Sequence, residues 1–116
     1  MSRHLERTVR SLSEAAPVFA ALGDETRLAV IARLCTEGPL SIARLSEGAA
    51  VSRQAVTKHL ETLAHAGLVR DARLGRERIW QLEPRRLEVA RRELDRISAQ
   101  WDAALGRLKA FVEEES

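Results

Sequence analysis

Four closely spaced polar residues could contact the edges of nucleic-acid bases: Arg53, Gln54, Thr57 and Lys58. Arg and Lys pair with guanine, Gln pairs with adenine, and Thr contacts a thymine methyl group or a phosphate. At about 100° per residue of helix, these side chains lie away from Val56, with Arg53 and Thr57 near the N-terminal edge. The pattern therefore predicts base recognition by this helix face, and the alternative interpretation is an ordinary solvated face.

Three further basic residues bracket Gly75: Arg73, Arg76 and Arg78. Such side chains bind phosphates or enter the minor groove of DNA, and Arg76 is the best placed of the three. The alternative is a charged strand edge that prevents pairing with another chain.

The positive charge of the chain, +2 in total, is concentrated in one quarter of the sequence. Residues 52–80 contain six Arg and Lys against three Asp and Glu, which gives +3. Residues 1–51 have six of each, and residues 81–116 have seven bases against eight acids. Because concentrated charge creates a strong local field, we expect double-stranded DNA to dock at residues 52–80.

The other reactive side chains do not form a catalytic or metal-binding pattern. Cys35 is the single cysteine, and His4, His59 and His65 have no cysteine or paired carboxylate at ligand spacing. The chain also lacks a glycine-rich phosphate loop, so we expect no enzyme activity, no metal and no cofactor. His59 lies about 60° from the buried centre of its helix and is expected at a boundary or against a phosphate, whereas His65 faces solvent.

Length and composition indicate a single domain over residues 1–116, because domains commonly have about 100–150 residues. Ala and Leu dominate the apolar residues and both favour helix. A single cysteine fits a reducing compartment. The longest nearly apolar run, residues 15–22, is far shorter than the ~20 residues that span a bilayer. We therefore expect a cytoplasmic protein with no membrane partner.

The first predicted helix covers residues 1–16. Four apolar residues recur in it at helical spacing: Leu5, Val9, Leu12 and Ala16. Pro17 is expected to end or kink this helix, and residues 18–22 to form a short apolar turn or helix that stops at Gly23.

Asp24 is expected to cap a second helix that ends before Gly38 and Pro39. Its inward stripe is predicted to contain four residues: Leu28, Ile31, Leu34 and Cys35. Cys35 would then act as a small buried hydrophobic side chain.

Two short helices joined by a tight turn are predicted next. Ser41 caps the first, which buries Ile42 and Leu45 and ends at Gly48. Ser52 caps the second, over residues 52–66. Val51 is placed to pack on Val56, and Val56, Leu60 and Leu63 form the buried stripe of this helix up to Gly67. The arrangement is a helix-turn-helix.

A β-hairpin is predicted over residues 68–82, because two short runs flank Gly75 and Arg76. A helix-turn-helix followed by a basic hairpin is typical of a winged helix, in which the second helix enters the major groove and the hairpin contacts the neighbouring backbone or minor groove. The expected fold class is mostly α with a small β-hairpin.

A long last helix is predicted over residues 84–114, with Pro84 at its first position. Its apolar residues alternate at spacings of three and four, which is typical of a stripe that packs on a partner helix. We expect a homodimer interface formed by Leu94, Ile97, Trp101, Leu105 and Leu108. Leu5, Val9 and Leu12 of the first helix would complete it. The alternative is that the last helix folds back on its own domain.

The chain resembles the ArsR/SmtB family of bacterial winged-helix repressors over residues 18–83. The resemblance lies in FAALGDETRL at 19–28, VSRQAVTKHL at 51–60, AGLV at 66–69 and GR at 75–76. It implies a homodimer that binds a palindromic operator and is released by a signal. Ser41 and Ala43 stand where metal-sensing relatives have cysteines, and the last helix lacks the family's other metal-binding pattern. The spacing of Trp101, Leu105 and Leu108 resembles a branch that does not bind metal, so the effector is not assigned.

Two alternative functions fit the same elements. One is a MarR-like regulator, which usually has a longer chain. The other is a winged helix that serves as a protein-interaction module through its helix faces. Salt-sensitive binding to heparin or random DNA distinguishes a DNA-binding protein from such a module.

Overall fold

A computed structural model of the chain describes residues 2–114, which form five helices and three strands. The helices are α1 (Arg3–Leu22), α2 (Glu25–Glu37), α3 (Ile42–Ser46), α4 (Arg53–His65) and α5 (Pro84–Glu114). The strands are β1 (Leu40–Ser41), β2 (Val69–Leu74) and β3 (Glu77–Leu82). This architecture confirms the predicted fold class, a winged helix-turn-helix followed by a long C-terminal helix.

Each of the first four helices begins directly after a residue whose side chain accepts a hydrogen bond from the amide three positions along. These capping residues are Ser2, Asp24, Ser41 and Ser52. The side-chain oxygen satisfies a backbone donor that has no partner inside the helix. Local sequence therefore fixes these starting points, and the predicted caps at Asp24, Ser41 and Ser52 are confirmed.

The first helix does not end at Pro17 but continues to Leu22. Proline lacks the N–H that would bond to the preceding turn, and this loss is destabilising in a helix interior. Buried Ala15 and Val18 flank the exposed Pro17, and Ala21 is buried one turn further on. Because these three side chains need helical geometry to reach the core, their packing offsets the missing hydrogen bond.

The core lies between α2, α4 and the base of the hairpin. Val56, Leu60 and Leu63 of α4 are fully buried, as their spacing predicts. Trp80 of β3 is 1% exposed and belongs to the same cluster, together with Leu68. The inner side of α4 is therefore held by packing from several elements.

The predicted inward stripe of α2 is wrong at two positions. Leu28 is 51% exposed and Cys35 is also exposed, whereas Val30 is buried with Ile31 and Leu34. The helix packs against both α4 and β3, and these elements lie on its Val30 side. Leu28 and Cys35 project from the other edge. Cys35 is consequently not a core residue.

The three strands form an antiparallel sheet in the order β1-β3-β2. Leu40 of β1 pairs with Trp80, and β2 pairs with β3 from Val69↔Leu82 to Leu74↔Glu77. Gly75 adopts a φ of 65° at the hairpin turn, where a residue with a side chain would be strained. The hairpin confirms the predicted wing. The sequence does not reveal β1, because two residues are too few to show strand alternation.

The last helix contacts the core only through its first part. Leu87 packs against the core, Ala90 and Glu93 are buried, and the residues that follow are exposed. The buried carboxylate of Glu93 accepts a hydrogen bond from Arg96 at 3.0 Å. The helices α1 and α5 pack against each other, and the described chain measures 66 Å along its longest axis.

No helix within residues 2–114 is long and apolar enough to span a membrane.

Leu60→Ala should lower the free energy of unfolding by about 2–5 kcal/mol, because it opens a cavity in the packed core. Leu28→Ala, the matched control on the exposed edge of α2, should change it by less than about 0.5 kcal/mol. Urea denaturation at one protein concentration measures both variants. Equal losses would contradict the described orientation of α2.

Candidate nucleic-acid interface

The outer face of α4 presents the residues predicted to read bases. Arg53, Gln54 and Lys58 are exposed, and Thr57 is half-buried beside them. The Thr57 hydroxyl donates to the Arg53 carbonyl oxygen at 3.0 Å, so its hydroxyl hydrogen is used inside the helix. Within residues 2–114, the Arg53 and Lys58 side chains form no ion pair. Their charges are therefore available to an anionic ligand.

The start of α4 also favours an anion. Ser52 accepts from the Ala55 amide at 3.2 Å, and the first turn contains no acidic residue. The unpaired amides of a helix N-terminus carry partial positive charge, which adds to that of Arg53. Sequence and helix polarity thus place positive potential at the same end of the exposed face.

The end of α4 is fixed by a glycine. Gly67 has a φ of 78°, and a Cβ atom at this position would lie 2.9 Å from Cγ of Arg86. The backbone conformation makes a larger residue strained here, and its Cβ atom would have to displace the Arg86 side chain. The turn after α4 therefore sets the direction in which the hairpin leaves the helix.

The three arginines around the hairpin turn, Arg73, Arg76 and Arg78, fall into two groups. Arg73 and Arg76 are exposed, and within the described part of the chain neither forms an ion pair. Arg78 instead donates through Nε to Asp71 Oδ2 at 2.5 Å, and its guanidinium carbon lies 4.6 Å from the centroid of the Trp80 ring. Arg78 therefore stabilises the hairpin, while Arg73 and Arg76 remain available to a phosphate backbone.

The Asp71–Arg78 pair has a further electrostatic role. Arg73 lies directly opposite Arg78 in the register of β2 and β3, and like charges in that relation repel. Asp71 draws Arg78 back toward the hairpin base. The hydrogen bond from Arg78 also lowers the pKa of the Asp71 carboxyl below its ordinary value. The sequence contains both residues, but only the strand register shows that they pair.

The two histidines of α4 occupy different environments. His65 is exposed, as predicted. His59 is half-buried, and its Nδ1 atom lies 3.2 Å from Nη1 of Arg27. Its predicted boundary position is confirmed, and its Nδ1 atom faces the protein interior rather than a ligand. Sequence periodicity did not identify Arg27 as its partner, because the two residues lie 32 positions apart.

No group of three or more His, Cys, Asp or Glu residues that could hold a metal ion is present within residues 2–114. The candidate interface consists of hydrogen-bonding and cationic side chains on α4 and the wing. A helix-turn-helix with an exposed basic hairpin beside it defines a winged-helix DNA-binding protein.

Known proteins share this arrangement. A family described as a helix-turn-helix domain matches residues 22–72. The HTH-type transcriptional regulator Rv2034 of Mycobacterium tuberculosis is 40% identical over 97 residues, which cover 84% of this chain and 87% of that protein. An ArsR-like transcriptional regulator from Rhodococcus sp. RHA1 superimposes with a TM-score of 0.69 and 39% identity, over 85% of this chain and 92% of that structure.

A more distant relative is the arsenic resistance transcriptional regulator ArsR1 of Pseudomonas putida. It is 31% identical over 67 residues, which cover 58% of this chain and 52% of that protein. The chain belongs to the ArsR/SmtB family of helix-turn-helix transcriptional regulators. It is a DNA-binding regulator and not an enzyme.

Arg78→Ala should raise the pKa of the Asp71 carboxyl toward its ordinary value, because the hydrogen bond that favours the carboxylate is lost. In the native protein this pair stabilises the wing above the unfolded-state pKa of Asp71, and the stabilisation is lost as pH falls through the lower folded-state pKa. NMR titration of the carboxyl carbon measures the shift. Arg73→Ala is the control and should leave the titration unchanged. An unaltered titration in Arg78→Ala would contradict the pairing.

Proposed function

We propose that the protein is a homodimeric repressor that binds a palindromic operator through residues 52–66 and the wing at residues 68–82. The observation that carries the proposal is the asymmetry of α4. One side is fully buried, whereas the other presents Gln54 together with Arg53 and Lys58, whose charges form no ion pair within the described chain. A basic and amide-bearing helix face beside a basic wing fits the major groove of DNA.

The two parts of the interface have different tasks. Arg53 and Gln54 lie at the exposed start of α4, where a recognition helix contacts base edges, and Lys58 follows one turn later. Thr57 offers its methyl group to a thymine, since its hydroxyl donates within the helix. Arg73 and Arg76 of the wing contact phosphates or the minor groove. Base contacts determine sequence preference and phosphate contacts determine register.

The dimer would form through α5. Large apolar side chains remain exposed along one stripe of this helix, and Trp101 is 65% exposed at its middle. The stripe comprises Leu94, Ile97, Trp101, Leu105 and Leu108. Leu5, Val9 and Leu12 of α1 are also exposed. A contiguous apolar surface of this kind marks an interface, and a twofold axis would bury the same stripe from both copies.

A twofold dimer places two copies of α4 against one DNA duplex. Half-sites about one helical turn apart, related by an inverted repeat, match this symmetry. Residues 1–116 then act as one winged-helix domain with α1 and α5 as dimerisation elements. In this proposal the bound dimer represses transcription in the cytoplasm. Metal sensing is not included, because Ser41 and Ala43 supply no thiolate.

Arg53→Ala and Gln54→Ala should each relax base preference and weaken operator binding by roughly 1–3 kcal/mol, because a bidentate base contact is lost. Arg76→Ala should weaken operator and random DNA to a similar extent, since a phosphate contact carries no sequence information. Fluorescence anisotropy at one salt concentration measures both, with operators selected from genomic fragments by the purified protein. Arg107→Ala, an exposed charge on α5, is the control.

Equal losses of operator and random-DNA affinity in Arg53→Ala, Gln54→Ala and Arg76→Ala would refute base reading by α4. Binding that does not weaken as salt increases would instead favour a protein-interaction module.

Trp101→Ala and Leu105→Asp should convert the dimer to monomers and lower operator affinity without altering α4, because they remove or charge the centre of the apolar stripe. Ala99→Asp introduces the same charge about 160° away from Trp101 and should leave the dimer intact. Sedimentation velocity measures the oligomeric state. Tight binding of a two-half-site operator by a wild-type protein that sediments as a monomer would refute this interface.

A further inference from the structure

We propose that Arg27 and His59 form a joint that ties α4 to α1 and α2 and makes operator recognition sensitive to pH. The proposal rests on the proposed reading of DNA by α4. It concerns residues outside the DNA-contacting set, so both act as positioning residues.

The joint connects three helices through one side chain. Arg27 Nε donates to the carbonyl oxygen of Ala21 in the last turn of α1 at 2.5 Å. Arg27 Nη1 lies 3.2 Å from Nδ1 of His59 on α4. The backbone amide of Arg27 donates to the capping carboxylate of Asp24 at 3.0 Å, which fixes the start of α2. If α1 or α2 moves, Arg27 therefore transmits the movement to α4.

The contact with Arg27 sets which ring nitrogen of His59 acts as the acceptor. A guanidinium has only donors, so Nδ1 of His59 must accept and the ring proton lies on Nε2. This state is the neutral imidazole. When Nδ1 gains a proton, it becomes a donor that faces a cation, and the hydrogen bond from Arg27 is lost.

Asp24 supplies the competing partner. Its Oδ2 atom lies 3.9 Å from the same Nδ1 atom of His59. The backbone hydrogen bond from Arg27 lowers the pKa of the Asp24 carboxyl, so this carboxyl is ionised at neutral pH. Protonation therefore exchanges an Arg27 contact for an Asp24 contact, and the imidazole must shift to reach the carboxylate.

The surroundings of His59 contain few other charges. Arg27 and Asp24 are the charged partners of its ring within residues 2–114. On its own helix, the positions three and four residues away hold Ala55, Val56, Thr62 and Leu63, none of which titrates. The neighbouring charge on α4 is Lys58, which projects to the exposed side. We therefore assign the response to pH to the contacts of His59 with Arg27 and Asp24.

The position of the joint connects it to DNA recognition. His59 has a side chain 22% exposed and lies on the flank of α4 between the buried stripe and the reading face. Lys58 of the exposed face is its neighbour in sequence, so a change at His59 lies next to a proposed DNA contact. The other end of the joint is on α1, whose exposed apolar residues border the proposed dimer interface. The two copies of α4 must match a fixed half-site spacing, so a small change at this joint alters operator fit more than random-DNA binding.

The sign of the pH effect separates this proposal from a direct phosphate contact. A protonated His59 that bound phosphate would strengthen binding to operator and random DNA together as pH falls. A joint that opens on protonation lowers the ratio of operator to random-DNA affinity instead. We expect this ratio to fall about tenfold from pH 8 to pH 5.5, as for one lost hydrogen bond to a charged group.

The test measures the affinities for operator and for random DNA from pH 5.5 to 8 at constant ionic strength. His59→Asn places an acceptor oxygen where Nδ1 lies but does not titrate, so it should keep the wild-type ratio at pH 8 and lose its pH dependence. Arg27→Lys keeps the charge but cannot reach both partners, and should lower the ratio already at pH 8. His65→Asn, on the same helix but exposed, is the control and should retain the wild-type profile. A wild-type profile in His59→Asn overturns the proposal, as does a parallel rise in both affinities at low pH.

A second measurement needs no DNA, and it separates failure of the joint from failure of the proposed function. Nitrogen NMR of the imidazoles in the free protein should show Nδ1 of His59 without a proton at pH 8, and Arg27→Lys should perturb that signal but not the signal of His65. A proton on Nδ1 of His59 at pH 8 would exclude the Arg27 contact. Wild type and variants could all fail to bind operator while NMR shows the expected tautomer of His59. That result would count against the proposed function and not against the contact between Arg27 and His59.

Discussion

Full burial of the inner face of α4 is the constraint on which the DNA interface depends. Val56, Leu60 and Leu63 have no solvent exposure and pack among residues from α2 and the base of the hairpin. A helix held in this way cannot rotate about its axis without opening cavities in a close-packed interior. The exposed face is consequently fixed as well, so the side chains that it presents to DNA are determined by the core beneath them.

The same core is too small to cover the apolar surface of α1 and α5. Only the first part of α5 reaches it, through Leu87 and Ala90, and the remainder extends the molecule to 66 Å. The carboxylate of Glu93 is buried between α1 and α5, and its burial is tolerated because Arg96 donates a hydrogen bond to it. The fold therefore separates two surfaces, a basic one on α4 and the wing and an apolar one on α1 and α5.

The sequence by itself determined the elements and most of the candidate interface. Capping residues such as Asp24 and Ser52 act on amides three positions away, and the turn at Gly75 joins adjacent strands. These signals are local, so they can be read without knowledge of distant residues. The periodicity of α4 identified both its buried stripe and its exposed polar set, because a helix with one strongly apolar side has a single favourable orientation.

The tertiary structure decided what depends on residues far apart in the chain. Pro17 remains within α1 because packing on both sides offsets its missing hydrogen bond, and Leu28 is exposed because α2 turns Val30 toward α4 and β3. Arg78 is engaged by Asp71, and His59 by a residue 32 positions away. Periodicity shows which side of a helix is apolar but not which neighbours surround it. Those neighbours come from elements that are distant in sequence. The packing of these elements therefore determined the environments of Pro17, Leu28, Arg78 and His59.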